Sequence, residues 1–102
     1  MEIIIKESDD VITAFLTGRL DTPASPQAEK DLAPLVEKAD RTLVLDCSGM
    51  NYISSSGLRI FLTIRKAAGN KGGKVVVRGI SDDIRQIFMM TGFLNLFEIE
   101  NT

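Results

Sequence analysis

Short apolar runs alternate along this sequence with segments of helical periodicity, and this alternation limits the fold more than any other feature. Residues 3–6 and 11–17 form two strand-like runs joined by a polar turn, which predicts a β-hairpin. Residues 42–47 and 74–78 are short continuous apolar runs, as expected for strands buried on both faces. Residues 96–100 form a last run, so the sequence predicts five strands.

The first helical segment follows the hairpin. Thr22-Pro23 and Ser25-Pro26 each place a capping residue before a proline, which is typical of a helix start. Apolar residues then recur with helical spacing over 28–39. Pro34 lies inside this pattern and removes a backbone hydrogen bond, so we expect a kink or break near it.

Two further helices follow the third and fourth strands. One comes after Ser54-Ser55-Ser56 and ends in the glycine-rich stretch 69–73, and the other is capped by Ser81 and ends at Gly92. Helices between successive strands imply right-handed crossovers and a mostly parallel sheet. The sequence therefore predicts an α/β fold for one domain over residues 1–102, with a mixed, mostly parallel sheet, an N-terminal hairpin and helices packed against the sheet.

The composition of the chain limits the functions that it can have. The chain has no histidine, which excludes Ser-His-Asp and Cys-His catalytic arrangements and His-ligated zinc sites, so we expect no enzyme activity, cofactor or metal. A net charge of −2 argues against nucleic acid as a partner. No run approaches the ~20 apolar residues that a membrane-spanning helix needs. Cys47 is the only cysteine, so no disulfide can form within the chain, and we expect a cytoplasmic protein. We expect Cys47 itself to be a small buried residue.

The serine cluster Ser54-Ser55-Ser56 precedes Gly57 at the junction between a strand and a helix. One serine would serve as the N-cap and accept hydrogen bonds from free backbone N–H groups, but a cap needs only one. Loops at the carboxyl ends of parallel strands commonly bind ligands, and a phosphate there would be stabilised by the helix N-terminus. From these residues alone, a cap and a modification site are equally favoured.

Three segments resemble the signature elements of the STAS domain family, the anti-sigma factor antagonist group. Residues 45–58 read LDCSGMNYISSSGL and resemble its apolar strand, its D-x-S-like turn and its double serine followed by glycine and leucine. Residues 18–21 resemble its G-x-L-D element, and residues 87–93 resemble its apolar helix end that closes on glycine. The three segments occur in the expected order and span nearly the whole chain.

This resemblance implies a regulatory role rather than catalysis. In bacterial antagonists of this type, the serine before the glycine is phosphorylated by the partner, an anti-sigma factor with serine kinase activity. That serine is Ser56 here, with Ser55 and Ser54 as alternates. The unphosphorylated form would bind the anti-sigma factor and release the sigma factor, phosphorylation would end binding, and a serine phosphatase would restore it. The alternative is a STAS subunit that docks on a transporter or a sensory assembly without being modified.

The expected docking surface joins the serine cluster to the helix that follows it and to the G-x-L-D element. Leu58 and Leu62 lie on a helix flank whose burial the pattern leaves open, beside a polar stripe that contains Arg59. We expect the two leucines to form an apolar centre with a polar rim. The predicted partner-binding residues are Asp21, Thr22, Ser54, Ser55, Ser56, Gly57, Leu58, Arg59 and Leu62.

Two features depart from the family pattern. Well-known antagonists often have aspartate two residues before the phosphorylated serine, where this chain has Ser54, so a kinase is expected to meet a different local charge. Many members also continue into a further helix after the last strand. This sequence ends at Thr102, so any partner contact made by that helix is expected to be absent or replaced.

Overall fold

A computed structural model describes residues 1–100, in which five strands and four α-helices follow the predicted order. The strands are β1 (Glu2–Glu7), β2 (Val11–Leu20), β3 (Thr42–Ile53), β4 (Lys74–Arg78) and β5 (Glu98–Glu100). The helices are α1 (Ser25–Asp31), α2 (Ala33–Glu37), α3 (Ser55–Lys71) and α4 (Asp82–Thr91), and a 3₁₀ turn covers Phe93–Asn95. Within residues 1–100, no helix has the length and apolarity required to cross a membrane.

The sheet has the order β1-β2-β3-β4-β5, with β1 antiparallel to β2 and the other pairs parallel. The mixed sheet with a hairpin at one side is therefore confirmed. Because the crossovers all step in one direction and are right-handed, the helices lie on one face of the sheet. The buried strand residues on that face are Ile12, Ala14, Leu16, Leu43, Leu45, Cys47, Val75 and Val77.

Aromatic rings hold the two longest helices against the sheet. Phe61 from α3 and Phe88 from α4 are fully buried, and their rings meet edge to face with centroids 6.2 Å apart. Phe97 packs against both rings, at 6.4 and 6.1 Å. Such pairs contribute about 0.5–1.5 kcal/mol each beyond the burial of their area, so this cluster fixes α3 and α4 relative to one another.

The predicted break in the first helix is confirmed. The helix ends at Asp31, and α2 begins at Ala33 with Pro34 as its second residue. A proline is tolerated in the first turn because the N–H groups there have no partner within the helix. The break therefore places Pro34 where its missing donor costs little.

Three strands are longer than predicted, and one is shorter. The first strand gains one residue at each end and covers Glu2–Glu7. The second strand continues beyond residue 17 to Leu20, and the third continues beyond residue 47 to Ile53, because their extensions pair with each other across two register shifts. The segment predicted as a D-x-S-like turn is therefore part of β3. The last strand begins at Glu98 rather than at Leu96, because the N–H of Leu96 donates to the carbonyl of Phe93 in the preceding turn, at 3.0 Å.

The sheet face away from the helices carries an ion pair and two cation–π contacts around Phe15. Arg78 Nε donates to Asp46 Oδ2 at 2.9 Å, and its guanidinium also lies over the ring of Phe15. Burial alone would raise the pKa of Asp46, but hydrogen bonds from the Ser48 amide and from Arg78 outweigh it, and the pKa lies below its ordinary value. Lys6 Nζ also lies over the Phe15 ring, 5.5 Å from its centroid.

The single cysteine is buried, as predicted. Burial chiefly, and then the charge of Asp46, raises the pKa of the Cys47 thiol to about 12. The thiolate is the reactive form of cysteine. Cys47 therefore acts as a small apolar residue of the core.

Candidate functional site

The start of α3 assigns different positions to the three serines. Ser54 is the N-cap, with extended backbone, and its hydroxyl oxygen accepts a hydrogen bond from the Gly57 N–H at 3.2 Å. The N–H of Ser54 donates to the carbonyl of Leu20 at the end of β2, at 2.8 Å. Only 8% of Ser54 is exposed. The Ser54 hydroxyl therefore has a structural role as the cap of α3.

The other two serines lie in the first turn of α3. Ser55 is exposed, and Ser56 is half-buried as the second residue of the helix. Backbone N–H groups in a first helical turn lack partners within the helix and carry the positive end of the helix dipole. The hydroxyls of Ser55 and Ser56 thus lie in an environment that favours an added negative charge. The Ser54 hydroxyl, in contrast, serves as the N-cap.

Ser56 opens onto a groove between α3 and the α1–α2 segment, with a volume of about 390 Å³. The floor of this groove is apolar and includes Leu32, Val36 and Ile60. Its rim is polar and includes Thr22, Glu29, Arg59 and Thr63. We call this feature the Ser56 groove. It combines an apolar base with a polar edge, the arrangement that protein interfaces use.

The G-x-L-D element, residues 18–21, supports the Ser56 groove from next to it but does not line it. Leu20 is fully buried, and Asp21 Oδ1 accepts a hydrogen bond from the Ala24 N–H at 3.0 Å. The hydroxyl of Ser25 donates to the carbonyl of Asp21 at 2.9 Å. These bonds close the turn between β2 and α1, and Thr22 of this turn lines the same groove as Ser56. Asp21 therefore shapes the site through the backbone.

The predicted position of Leu58 is wrong. Leu58 is 6% exposed and belongs to the hydrophobic core, so it cannot form the centre of an exposed docking surface. The reason is the rotation of about 100° per residue along a helix, which points residues 56 and 58 in widely different directions. Leu62, one turn further along α3, is half-buried and does not line the Ser56 groove.

Gly57 is also buried, and its lack of a side chain has a structural cause. A Cβ at this position would lie 2.7 Å from Leu20 Cγ and 2.8 Å from Ile53 Cγ1. The first turn of α3 can approach the ends of β2 and β3 only without that atom. Gly57 thus supports the position of the neighbouring serines rather than offering a contact surface.

The charged residues on the rim have no ion pairs of their own. Within residues 1–100, neither Glu29 nor Arg59 forms a salt bridge. Arg59 is exposed and lies one turn beyond Ser56 on the same groove. No cluster of His, Cys, Asp or Glu in the described part of the chain is arranged to hold a metal ion. The site therefore offers a surface for a partner and a serine hydroxyl that can accept a phosphate.

Several residues of the Ser56 groove were missed by the sequence prediction. The residues Ser25, Glu29, Ile60 and Thr63 line it, although none was predicted as a binding residue. One signal was present, since Ser56, Arg59 and Thr63 follow the i, i+3, i+7 spacing of one helix face. The contribution from α1 carried no such signal, because it depends on how two helices pack.

The sequence model of the family described as STAS domain matches residues 2–102. The chain belongs to the STAS domain family. It is 32% identical over 102 residues to the protein BtrV of Bordetella bronchiseptica, an alignment that covers 100% of this chain and 88% of BtrV. It is 30% identical over 102 residues to the anti-sigma-B factor antagonist of Listeria monocytogenes, covering 99% of this chain and 90% of that protein.

A solved structure extends the likeness to the fold. The Bacillus cell fate determinant SpoIIAA in its phosphorylated form superposes with a TM-score of 0.76 at 16% identity, covering 99% of this chain and 91% of SpoIIAA. This match confirms the STAS-type α/β fold, and the curated relatives place the chain with the anti-sigma factor antagonists.

Proposed function

We propose that this STAS protein is an anti-sigma factor antagonist controlled by serine phosphorylation. In its unphosphorylated form it binds an anti-sigma factor that has serine kinase activity, and this binding releases the sigma factor. Phosphorylation of Ser56 ends the binding, and a serine phosphatase restores it. The protein acts in the cytoplasm, where its partners regulate transcription.

The position of Ser56 carries this proposal. Its side chain is half-buried at the mouth of a groove with an apolar floor, while its backbone lies in the first turn of α3. A kinase that docks in the Ser56 groove would have the hydroxyl at its interface. Ser54 is the weakest of the three candidates because its hydroxyl caps the helix and is nearly inaccessible. Ser55 is exposed but does not line the groove.

Charge explains why the modification would release the partner. A phosphoserine adds about −1.5 to −2 charges. Within the protein this charge suits the helix N-terminus, where negative groups contribute about 0.3–1 kcal/mol. In a closed interface the phosphate would lose its hydration without gaining a positively charged or hydrogen-bonding partner. Burial of such an unpaired charge costs several kcal/mol. Phosphorylation would therefore weaken the complex and leave the fold intact.

The relatives support this proposal. The protein of Listeria monocytogenes is named an anti-sigma-B factor antagonist. SpoIIAA, which shares the fold, is itself an anti-sigma factor antagonist with solved structures in phosphorylated and unphosphorylated forms. A phosphorylation switch thus has a precedent on this fold.

The sequence difference at Ser54 fits the same scheme. Aspartate, which many antagonists have at this position, is an N-cap as effective as serine. Ser54 therefore retains the capping role without the negative charge that an aspartate would place two residues before Ser56. We propose that the cognate kinase is adapted to this less acidic sequence.

Phosphorylation by the anti-sigma kinase of the same organism tests the proposal. The kinase and ATP should add one phosphate, and phosphopeptide mass spectrometry should locate it at Ser56. Ser56→Ala should bind the kinase and resist modification, whereas Ser55→Ala, the matched control, should be modified normally. Modification at Ser55 alone would move the site and keep the mechanism. No modification of any of the three serines would favour docking on a transporter or sensory assembly.

Binding measurements test the surface separately. Arg59→Glu should weaken the complex with the unphosphorylated protein, because it reverses an unpaired charge at the rim of the Ser56 groove. Lys66→Glu makes the same charge change on an exposed part of α3 two turns away and should have a smaller effect. Equal affinities for Arg59→Glu and the unaltered protein would exclude this rim from the interface.

A further inference from the structure

The β1 strand forms an outer edge of the sheet and pairs on one side only. Its six residues, Glu2–Glu7, pair with β2 without interruption, and the order of the sheet leaves its other side without a neighbour among residues 1–100. A free edge exposes backbone N–H and C=O groups that can pair with another strand. β1 is therefore a potential site of strand addition.

The two edges of the sheet differ in how they are protected. Natural edge strands are usually short, charged, bulged or interrupted by proline. β5 follows this rule, with three residues in which Glu98 and Glu100 flank one isoleucine. β1 has three consecutive isoleucines without a bulge or a proline, and Ile4 is 50% exposed. Only β1 is thus suited to accept a further strand.

The hairpin geometry identifies the free backbone groups. The N–H of Ser8 donates to the carbonyl of Val11 at 2.8 Å across the turn. In an antiparallel pair the bonding direction alternates along the strand. Ser8 and the even-numbered residues of β1 therefore direct their N–H and C=O groups toward β2, and Ile3, Ile5 and Glu7 direct theirs outward.

The sequence of β1 is complementary to itself. When two copies pair antiparallel about a two-fold axis at Ile4, Glu2 of each copy faces Lys6 of the other, and Ile3 faces Ile5. The outward groups of Ile3 and Ile5 then form the hydrogen bonds. Glu2 and Lys6 form a non-hydrogen-bonded pair, in which the side chains approach more closely. A centre moved to Ile3 or to Ile5 loses the match, because Glu2 or Lys6 then faces Ile4.

We propose that this protein forms a symmetric dimer through antiparallel pairing of β1 with β1 of a second copy. The two five-stranded sheets join into one continuous sheet, with Glu2 of each copy opposite Lys6 of the other. Strand pairing over so few residues is a small interface, so the dimer is weak and depends on concentration. This inference goes beyond the proposed function and does not rely on phosphorylation, since it concerns the edge of the sheet rather than the Ser56 groove.

Sedimentation velocity over a wide range of protein concentrations tests the dimer. The unaltered protein should show a reversible monomer–dimer equilibrium. Glu2→Lys and Lys6→Glu should each raise the dissociation constant about tenfold, because both symmetric pairs change from opposite to like charge. The double variant, Glu2→Lys with Lys6→Glu, should restore dimerisation. This rescue separates pairing from any effect of one substitution on folding.

A charge change on the opposite edge is the matched control. Glu100→Lys, on exposed β5, should leave the equilibrium unchanged. Sedimentation as a monomer at every concentration would overturn the proposal. The free edge of β1 would then be open only to a strand of a different protein. A dimer that tolerates both single substitutions, or one that Glu100→Lys weakens equally, would overturn it as well.

Amide hydrogen exchange tests the register residue by residue. The outward N–H groups of Ile3 and Ile5 should exchange rapidly in dilute solution and slowly in concentrated solution. Those of Ile4 and Lys6 should be protected at both concentrations, because they are bonded to β2. Exchange at Ile3 and Ile5 that does not change with concentration would contradict β1 pairing.

Discussion

The two flanks of α3 belong to one helix but differ in what they contact. On one flank Ser56 and Arg59 line an open groove beside α1. On the other, Leu58 is 6% exposed within the core. The difference teaches that nearness in sequence does not define a surface here. Changes on the groove flank should alter binding with little effect on stability, and changes on the core flank should do the reverse.

Leu58→Asp should have the largest effect on stability. A buried apolar side chain is replaced by a carboxylate without a partner, so we expect a loss of more than about 3 kcal/mol in the free energy of unfolding. Urea denaturation measures it. Leu62→Asp, on a half-buried position one turn away, should cost clearly less. A loss below about 1 kcal/mol for Leu58→Asp would return Leu58 to the docking surface.

Gly57→Ala should destabilise the protein moderately. A methyl group there lies within 3.0 Å of Leu20 and Ile53, and overpacking of this kind costs about 1–3 kcal/mol, against a gain in helix propensity of up to about 1 kcal/mol. We expect a net loss of about 1–2 kcal/mol by chemical denaturation. Gly69→Ala, in the same helix with no atom near its Cβ position, should instead be stabilising. Stabilisation by both substitutions would show that the contact at Gly57 relaxes freely.

Ser54→Ala should cost about 1 kcal/mol, because it removes the hydroxyl that accepts the Gly57 N–H. Ser54→Asp should retain most of the stability, since aspartate also caps helices. Ser55→Ala is exposed and should stay within about 0.5 kcal/mol of the unaltered protein. Equal thermal stability of Ser54→Ala and Ser55→Ala would mean that the cap does not hold the start of α3.

Ser56→Asp should have the smallest effect on stability and a large effect on binding. The carboxylate lies at the positive end of the helix dipole, where it should contribute about 0.3–1 kcal/mol at low salt and less at high salt. Ser56→Asn is the uncharged control. A clear loss of stability in Ser56→Asp would show that weakened binding reflects a damaged fold, and the argument from charge would then fail.

Much of the fold was predictable because its signals are local. The proline at residue 34 lacks an N–H wherever it occurs, so the break in the first helix followed from the sequence alone. Ser81 and Gly92 bound α4 as predicted, through a cap hydrogen bond of 3.2 Å and a left-handed φ of 79°. The extensions of β2 and β3 were not predictable, because each strand continues only where the other is present to pair with it.

The candidate site likewise has features that follow from local sequence and features that depend on tertiary packing. The sequence by itself determined the order of strands and helices, the position of the serine cluster at the start of α3 and the absence of histidine chemistry. These depend on which residues are present and how they are spaced. Only the tertiary structure decided that Ser54 is the cap, that Leu58 is core and that Ser56 opens onto a groove with α1. Burial depends on what packs against a helix flank, and elements distant in the sequence supply those atoms.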